Sequence, residues 1–338
     1  MPSPRPVSAP RIPPRTQVSA DALLAFGNRL HKNFRHWSRW ARRRDLGAYR
    51  FYDRDLPEFP LAIDAYVPAE HPGLRVHVAE LDTGWAQEPA EYASWLEAVT
   101  ATIATTVGEP PSRLVVKRRA RRRGGAQHVP TGRRGAPFLV VENGLRFWVD
   151  LESYVDTGLF LDHRAMRDLV RSRAAGRRML NLFAYTGSFT VYAAAGGAVA
   201  TDTVDLSNVY LAWAERNFRA NGLDGAAHRL VRSDVLRWLD DARLRRERYD
   251  LIVLDPPSFS NSKAMTDVLD VQRDHRVLIE ACLELLGDCG ELYFSTNLRS
   301  FILDADLASG GRDIGAETRA EDFRDPRVHH AYRFAVPR

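Results

Sequence analysis

The groups in this sequence that can do chemistry stand at the ends of short predicted strands. The first is the stretch Asn181-Leu-Phe-Ala-Tyr-Thr-Gly-Ser-Phe-Thr190, in which an apolar run gives way to small and hydroxyl residues. About twenty residues on, Asp205 closes a predicted strand over 198–204. The third is Asp255-Pro256-Pro257-Ser258-Phe259, directly after 249–254. A strand that turns into a helix aims free N–H groups at a ligand over the strand end. A carboxylate at the next strand end accepts from both hydroxyls of a ribose. Adenosine or a relative is therefore the expected ligand. Close approach of a pyrophosphate needs several glycines and this turn has only Gly187, so a sulfonium donor, S-adenosylmethionine, is favoured over a dinucleotide.

The elements that must position these groups can be read from period and punctuation. Strands are predicted over 179–183, 198–204, near 229–231, over 249–254 and over 291–295, with helices over 189–195, 207–221 and 277–286. Asp234 follows the third strand, where it can accept from an adenine amino group. Two prolines after Asp255 stiffen the loop and leave carbonyls that no helix consumes. Phe259 can stack on a base extruded from its helix, as base-modifying enzymes require. The candidate cofactor contacts are Phe160, Asp162, Arg164, Asn181, Phe183, Tyr185, Thr186, Gly187, Ser188, Asp205, Leu206, Ser207, Asp234, Val235 and Asp255. Those facing the acceptor are Asp255, Pro256, Phe259 and Asn297, with Ser258 and Arg299 at the base edge. Arg164 is expected to pair with a carboxylate, and a local Asp162–Arg164 salt bridge is an equal reading of that segment. His163, His275, His329 and His330 are read as structural, and residues 272–274 as a brace for the loop around Lys263.

Five segments carry a family resemblance: Asn28-Arg-Leu-His-Lys-Asn33, Asp156-Thr-Gly-Leu-Phe-Leu-Asp-His-Arg164, Asn181 to Thr190, residues 255–263 and Asp270-Val-Gln-Arg-Asp-His275. Together they resemble the bacterial 23S rRNA guanine-N7 methyltransferases, specifically the C-terminal half of the bifunctional guanine N2/N7 enzyme standing without its N2 half. The resemblance spans nearly everything after residue 20. It implies an α/β, class I S-adenosylmethionine-dependent methyltransferase with a Rossmann-like, seven-stranded, mostly parallel sheet behind a small α+β domain. The implied target is a guanine in domain V of 23S rRNA, free or in a pre-50S particle.

Charge agrees with a polyanionic partner. Residues 1–150 hold 23 Lys and Arg against 15 Asp and Glu, whereas residues 151–338 hold 25 against 28. Lys117, Arg118, Arg119, Arg121, Arg122 and Arg123, with Arg133 and Arg134 beyond a Gly-rich bend, can neutralise several phosphates. A predicted amphipathic helix over 21–44 puts Lys32, Arg35 and Arg39 opposite an apolar face. The expected division is a Pro-rich disordered tail (1–19), the basic helix (20–45), a mixed RNA-positioning domain (46–150) and the methyltransferase domain (151–338). Strands over 61–67 and 74–79, a helix over 89–107, strands near 114, 138 and 145, and an Asn143-Gly144 hairpin fill the mixed domain.

Two cysteines exclude a disulfide scaffold and a zinc set, so the expectation is a reduced cytoplasmic protein without metal. The proline-studded start lacks the apolar core of a signal peptide, and no run approaches a membrane span.

The acceptor atom is narrowed by chemistry. Cytosine C5 needs a Cys nucleophile, and the strand over 291–295 ends in Ser295-Thr296-Asn297, leaving only Cys289 nearby. An exocyclic amine such as guanine N2 is served by Asp255 and the Pro256 carbonyl. Guanine N7 offers a lone pair and loses no proton, and the resemblance favours it. An RNA-binding assembly factor without turnover remains open, as does a small-molecule methyltransferase, which would leave the 117–123 run unexplained.

Overall fold

The computed structural model describes residues 19–81, 88–119, 132, 135–223, 225–260 and 268–336. Helix α1 (Ala20–Arg43) is capped by Ser19, whose hydroxyl accepts from the Ala22 amide at 3.1 Å. The remainder of the Pro-rich tail lies outside the described residues. The α1 face carrying Phe26, Leu30 and Trp40 is buried, and Phe26 stacks on Phe59 at 4.1 Å. The helix therefore lies on a four-stranded sheet with its cations outward.

That sheet consists of β1 (Ala48–Asp53), β2 (Leu61–Tyr66), β3 (Arg75–Leu81) and, after α2 (Pro89–Val107), the parallel β4 (Leu114–Arg119). β1 was not foreseen. Its burial on both faces gives no period-two signal, and Arg50 interrupts the apolar run. Helices α1 and α2 cover one face, with Trp95, Val99 and Ile103 in the same core as Phe51, Ile63 and Val78.

The hairpin β5 (Phe138–Glu142) and β6 (Leu145–Val149) turns at Asn143 and Gly144, both with positive φ, as expected for this dipeptide. It forms a separate two-stranded sheet wedged between the domains. The Gly47 amide donates to the Val141 carbonyl on one side, and the Trp148 amide donates to Asn217 on the other. One apolar cluster runs from Ala48 and Tyr66 through Val140 and Phe147 to Tyr192 and Phe218.

The second domain runs α3 (Arg164–Arg173), β7 (Arg178–Leu182), α4 (Ser188–Ala195), β8 (Ala200–Asp205), α5 (Asn208–Ala220), β9 (His228–Arg232), α6 (Val235–Leu244), β10 (Tyr249–Leu254), β11 (Phe259–Ser260), β12 (Leu269–Asp270), α7 (Val271–Glu284), β13 (Leu286–Thr296), α8 (Ala305–Ala308), β14 (Gly311–Asp313), α9 (Gly315–Thr318) and β15 (His330–Ala335). Its seven-stranded sheet has the order β14-β15-β13-β10-β7-β8-β9, with β15 antiparallel to both neighbours. The chain fills one flank from β7 to β9, then returns to fill the other from β10. Strand order thus reverses between β7 and β10, and ligands bind such sheets at the carboxyl ends beside that reversal. Among the described residues no helix is long and apolar enough to cross a membrane.

Candidate active site

Register brings the candidate groups together. Leu182, Val204, Val231, Leu254 and Phe294 pair across five neighbouring strands. The residues that follow them, Phe183, Asp205, Arg232, Asp255 and Ser295, therefore stand along one edge. Asp234 lies two residues beyond Arg232, where it caps α6 by accepting from the Arg237 amide at 3.2 Å. Val235, behind it, is buried in the core.

The β7–α4 turn is shaped by Gly187, which has φ 72° at the N-cap of α4. A Cβ there would come within 3.0 Å of Ala214 and Phe218 on α5, so glycine is required both by φ and by space. No side chain caps α4. Its first-turn N–H groups, beginning at Ser188, are thus left to a ligand, as an amino acid carboxylate would need. Asp205 receives the Tyr185 amide on one oxygen at 2.9 Å and the Ser207 amide on the other at 2.8 Å. Each oxygen retains a lone pair, which suits the two hydroxyls of a ribose. Ser207 also caps α5, and Leu206 between them is partly exposed. The Tyr185 ring lies 5.0 Å from Phe160 and 4.7 Å from Tyr210, so the segment before α3 closes over this corner.

Burial pushes the Asp205 carboxyl up to about 6, while the amides of Ser207, Tyr185 and Leu206 pull it down. Only the ionised carboxylate accepts from both hydroxyls, so ligand binding favours loss of the proton. Affinity for S-adenosylhomocysteine is expected to be flat above about pH 7 and to fall roughly tenfold by about pH 5. Calorimetric titration across that range checks this, and Asp205→Asn should bind weakly with no such pH dependence.

Three expected cofactor contacts have structural partners instead. Asn181 is buried within β7 and donates to Thr190 at 3.0 Å, tying the strand to α4 and, through Thr203, to β8. The Thr186 hydroxyl donates to the Gly158 carbonyl at 2.7 Å. Arg164 does pair with carboxylates, but they lie between the domains: it donates to Glu142 at 2.9 Å, to Asp322 at 2.8 Å and to the Ala48 carbonyl at 2.7 Å. The Asp162–Arg164 salt bridge is not formed.

Asp162 instead faces His329 at 3.7 Å, and His329 stacks on His163 with ring centres 5.0 Å apart. His163 Nε2 lies 3.8 Å from Asp255, whose carboxylate also accepts from the Ser295 hydroxyl at 2.6 Å. Sequence reasoning gave Ser295 and the two histidines no role at the site, and no local signal marks them. One ligand atom each of Asp162, His163 and His329 fits within 4.8 Å. The two rings are nearly parallel, at 22°, so their in-plane lone pairs do not converge on one ion. The cluster reads as a polar backing for Asp255. His275 is structural as expected, with Nε2 accepting from the Asp304 amide.

On the outer side Pro256 is buried and Phe259 half-buried, while Ser258 donates to Asn297 at 2.6 Å, joining the two loops that border the acceptor pocket. Gln272 braces residue 302 through paired hydrogen bonds. Lys263, the loop it was expected to brace, lies outside the described residues. Cys289 sits at the amino end of β13, six residues and about 20 Å of strand from Ser295. It cannot serve as the nucleophile for C5 chemistry at this edge.

The basic elements divide. Lys32, Arg35 and Arg39 are exposed on α1 as expected. Lys117 is turned inward, donating to the Tyr154 and Val155 carbonyls, and Arg118 lies over Tyr92, 3.8 Å from Glu80. Lys117 is therefore corrected from phosphate contact to a tie between the domains. The side chain of Arg119, together with Arg121, Arg122, Arg123, Arg133 and Arg134, lies outside the described residues.

A mostly parallel sheet with an uncapped glycine turn, a strand-end carboxylate and a Pro-Pro loop at one edge defines a class I S-adenosylmethionine-dependent methyltransferase. The family described as S-adenosylmethionine-dependent methyltransferase is matched over residues 86–327, and the chain belongs to it. A ribosomal RNA large subunit methyltransferase K of Neisseria meningitidis serogroup B is 50% identical over 95% of this chain and 88% of its own length. A ribosomal RNA large subunit methyltransferase K/L of Methylococcus capsulatus is 45% identical over 96% of this chain, which spans 44% of that longer protein. A solved methyltransferase complexed with SAH superposes with a TM-score of 0.72 at 26% identity, covering 93% of this chain and 82% of that one.

Proposed function

We propose that this chain methylates N7 of a guanine in domain V of 23S rRNA, on free RNA or on a large-subunit precursor. The observation that carries the reading is the 50% identity to a large-subunit rRNA methyltransferase along 95% of the chain, front domain included. The exposed cations of α1 add a surface suited to phosphates.

When bound, S-adenosylmethionine supplies the methyl group as a sulfonium electrophile. Asp205 holds the ribose and the α4 N-terminus faces the amino acid carboxylate. Phe259 offers a stacking face to an extruded base, and the Ser258–Asn297 pair offers polar atoms to its edge. Alkylation at N7 leaves the ring positive, and Asp255, held by Ser295, provides a fixed negative charge for it. Guanine N7 has no proton to lose, so this set suffices without a general base.

One observation favours a second reading, transfer to an exocyclic amine such as guanine N2. An amine must shed a proton, and a carboxylate backed by an imidazole at 3.8 Å is a place to put it. Incubation with labelled donor and protein-free 23S rRNA, followed by mass spectrometry of the nucleosides, separates the two. N7-methylguanosine is the expected product; N2-methylguanosine alone would transfer the assignment to the amine.

A further inference from the structure

We propose that Arg54, Arg299 and Arg327 form a phosphate-binding cleft beside the acceptor pocket, which takes a backbone phosphodiester next to the extruded nucleotide. The inference rests on the RNA reading above and assigns the strand a path across the junction of the two domains.

Position is the first argument. Arg299 lies two residues beyond Asn297, in the turn by which the chain leaves β13 at the active edge. Thr296 pairs with His330 at the start of β15, and the Arg299 carbonyl lies 3.4 Å from the His330 ring. Residues 325–328 lead directly into that strand, so Arg327 stands on the same rim. Arg54 arrives from the other domain, on the connection between β1 and β2, and reaches Asp325 at 3.2 Å. Asp325 also receives Arg299, and one of its oxygens accepts the Arg327 amide at 3.0 Å.

Charge is the second. Arg54 is shared between Asp53, at 3.0 Å, and Asp325. Around the neighbouring Asp55 stand Arg324, at 3.5 Å, and Arg29, at 3.9 Å. Arg54, Arg299, Arg324 and Arg29 thus gather about Asp53, Asp55 and Asp325 where the domains join. The Arg327 side chain is exposed. Burial and the charges of Arg54 and Arg327 lower the pKa of Arg299, opposed by Asp53. Mutual repulsion of that kind is relieved by an anion. The backbone at Arg54 adds a third point: its φ of 55° is unfavourable for a side-chain-bearing residue, yet the turn keeps it.

An RNA phosphodiester is the anion that the RNA reading brings to this place, because the cluster stands two residues beyond Asn297 on the loop that borders the acceptor pocket. Such contacts position a strand without reading its bases. Taken with the Ser258–Asn297 pair, the cleft would fix the backbone while the base enters between Asp255 and Phe259.

The test is the affinity of the full chain for a labelled domain V transcript of 23S rRNA as a function of KCl, with S-adenosylhomocysteine affinity measured alongside. Arg54→Gln and Arg327→Gln are each expected to weaken binding about fivefold to tenfold near physiological salt. Each should reduce the log–log salt slope by roughly one, the signature of one lost phosphate contact. Arg327→Lys should retain the slope. Because Arg327 is exposed, its replacement leaves no buried group unpaired, so its result stands independently of folding. Removing a charge at the opposite end of α6, by Arg243→Gln, should leave the slope alone. An unchanged slope in Arg327→Gln, or an equal loss in Arg243→Gln, overturns the cleft. If the unaltered chain neither binds nor methylates the transcript, the RNA reading itself falls; if it does both while the variants match it, only the cleft falls.

Discussion

Asp255→Ala is expected to lower methyl transfer at saturating RNA and donor by about 100- to 1,000-fold, the usual loss when one fixed charge facing a developing charge is removed. RNA affinity should change by no more than a few-fold, because it resides mainly in phosphate contacts along a separate surface. The reasoning starts from the carboxylate's surroundings. Ser295 donates to one oxygen at 2.6 Å, and His163 lies 3.8 Å from that same oxygen, so the group is held before any substrate arrives. A charge fixed in advance loses little to reorganisation, which is why its removal falls on kcat and not on binding. Single-turnover rates and RNA affinities measured on the same preparation provide the check. Loss of RNA binding with methyl transfer unchanged per bound complex would assign Asp255 to recognition and not to the chemistry, whereas RNA binding by the unaltered chain with no methyl transfer would favour an RNA-binding assembly role. A loss in both would place Asp255 in the RNA interface and leave its charge unassigned.

The parts of the site that could be read from sequence are those set by strand ends. Asp205 and Asp255 each close a predicted strand, and the parallel register makes every such end meet at one edge, so their convergence follows from the strands themselves. Gly187 was legible for a similar reason, since a strand-to-helix turn of this kind needs a positive φ. What could not be read is where a polar side chain points once its element is packed. Asn181 looks equivalent to its neighbours in the turn, but α4 lies across its face of β7 and claims it through Thr190. Arg164 sits in the same segment as Phe160, yet helical geometry turns it toward Glu142 while Phe160 stays over Tyr185. His163, Ser295 and His329 become neighbours of Asp255, directly or through a stacked ring, only through contacts spanning tens to more than a hundred residues. No local period or spacing encodes such contacts. The hairpin before residue 150 is packed into both domains, and composition, which changes at that point, carries no sign of such packing.

Glu142→Ala should be the most destabilising single change considered, at about 3–5 kcal/mol, because it leaves two guanidiniums short of their shared anion inside the protein. Glu142 is 1% exposed and accepts from Arg164, Arg167 and the Tyr192 hydroxyl. Arg167, fully buried, has the Phe160 carbonyl as its other partner, whereas Arg164 keeps Asp322 and the Ala48 carbonyl. Burial alone would raise the Glu142 carboxyl, but Arg167 and Arg164 outweigh it and hold it below its ordinary value of 4.5. Its contribution to stability is therefore fully present above about pH 4.5 and is lost only as pH falls through the lower folded value. Urea unfolding near neutral pH measures the loss, which is a large share of a typical domain's total stability. A companion variant identifies the cause. Glu142→Leu with Arg167→Met removes both the anion and the guanidinium that depends on it most, so it should be less destabilising than Glu142→Leu alone by a clear margin. If the double variant is instead the sum of its parts, the cost of Glu142→Ala comes from the cavity it leaves in the interdomain core. In that case the charges bridging the hairpin, α3 and the segment carrying Asp322 contribute little to holding the RNA-facing domain against the methyltransferase sheet.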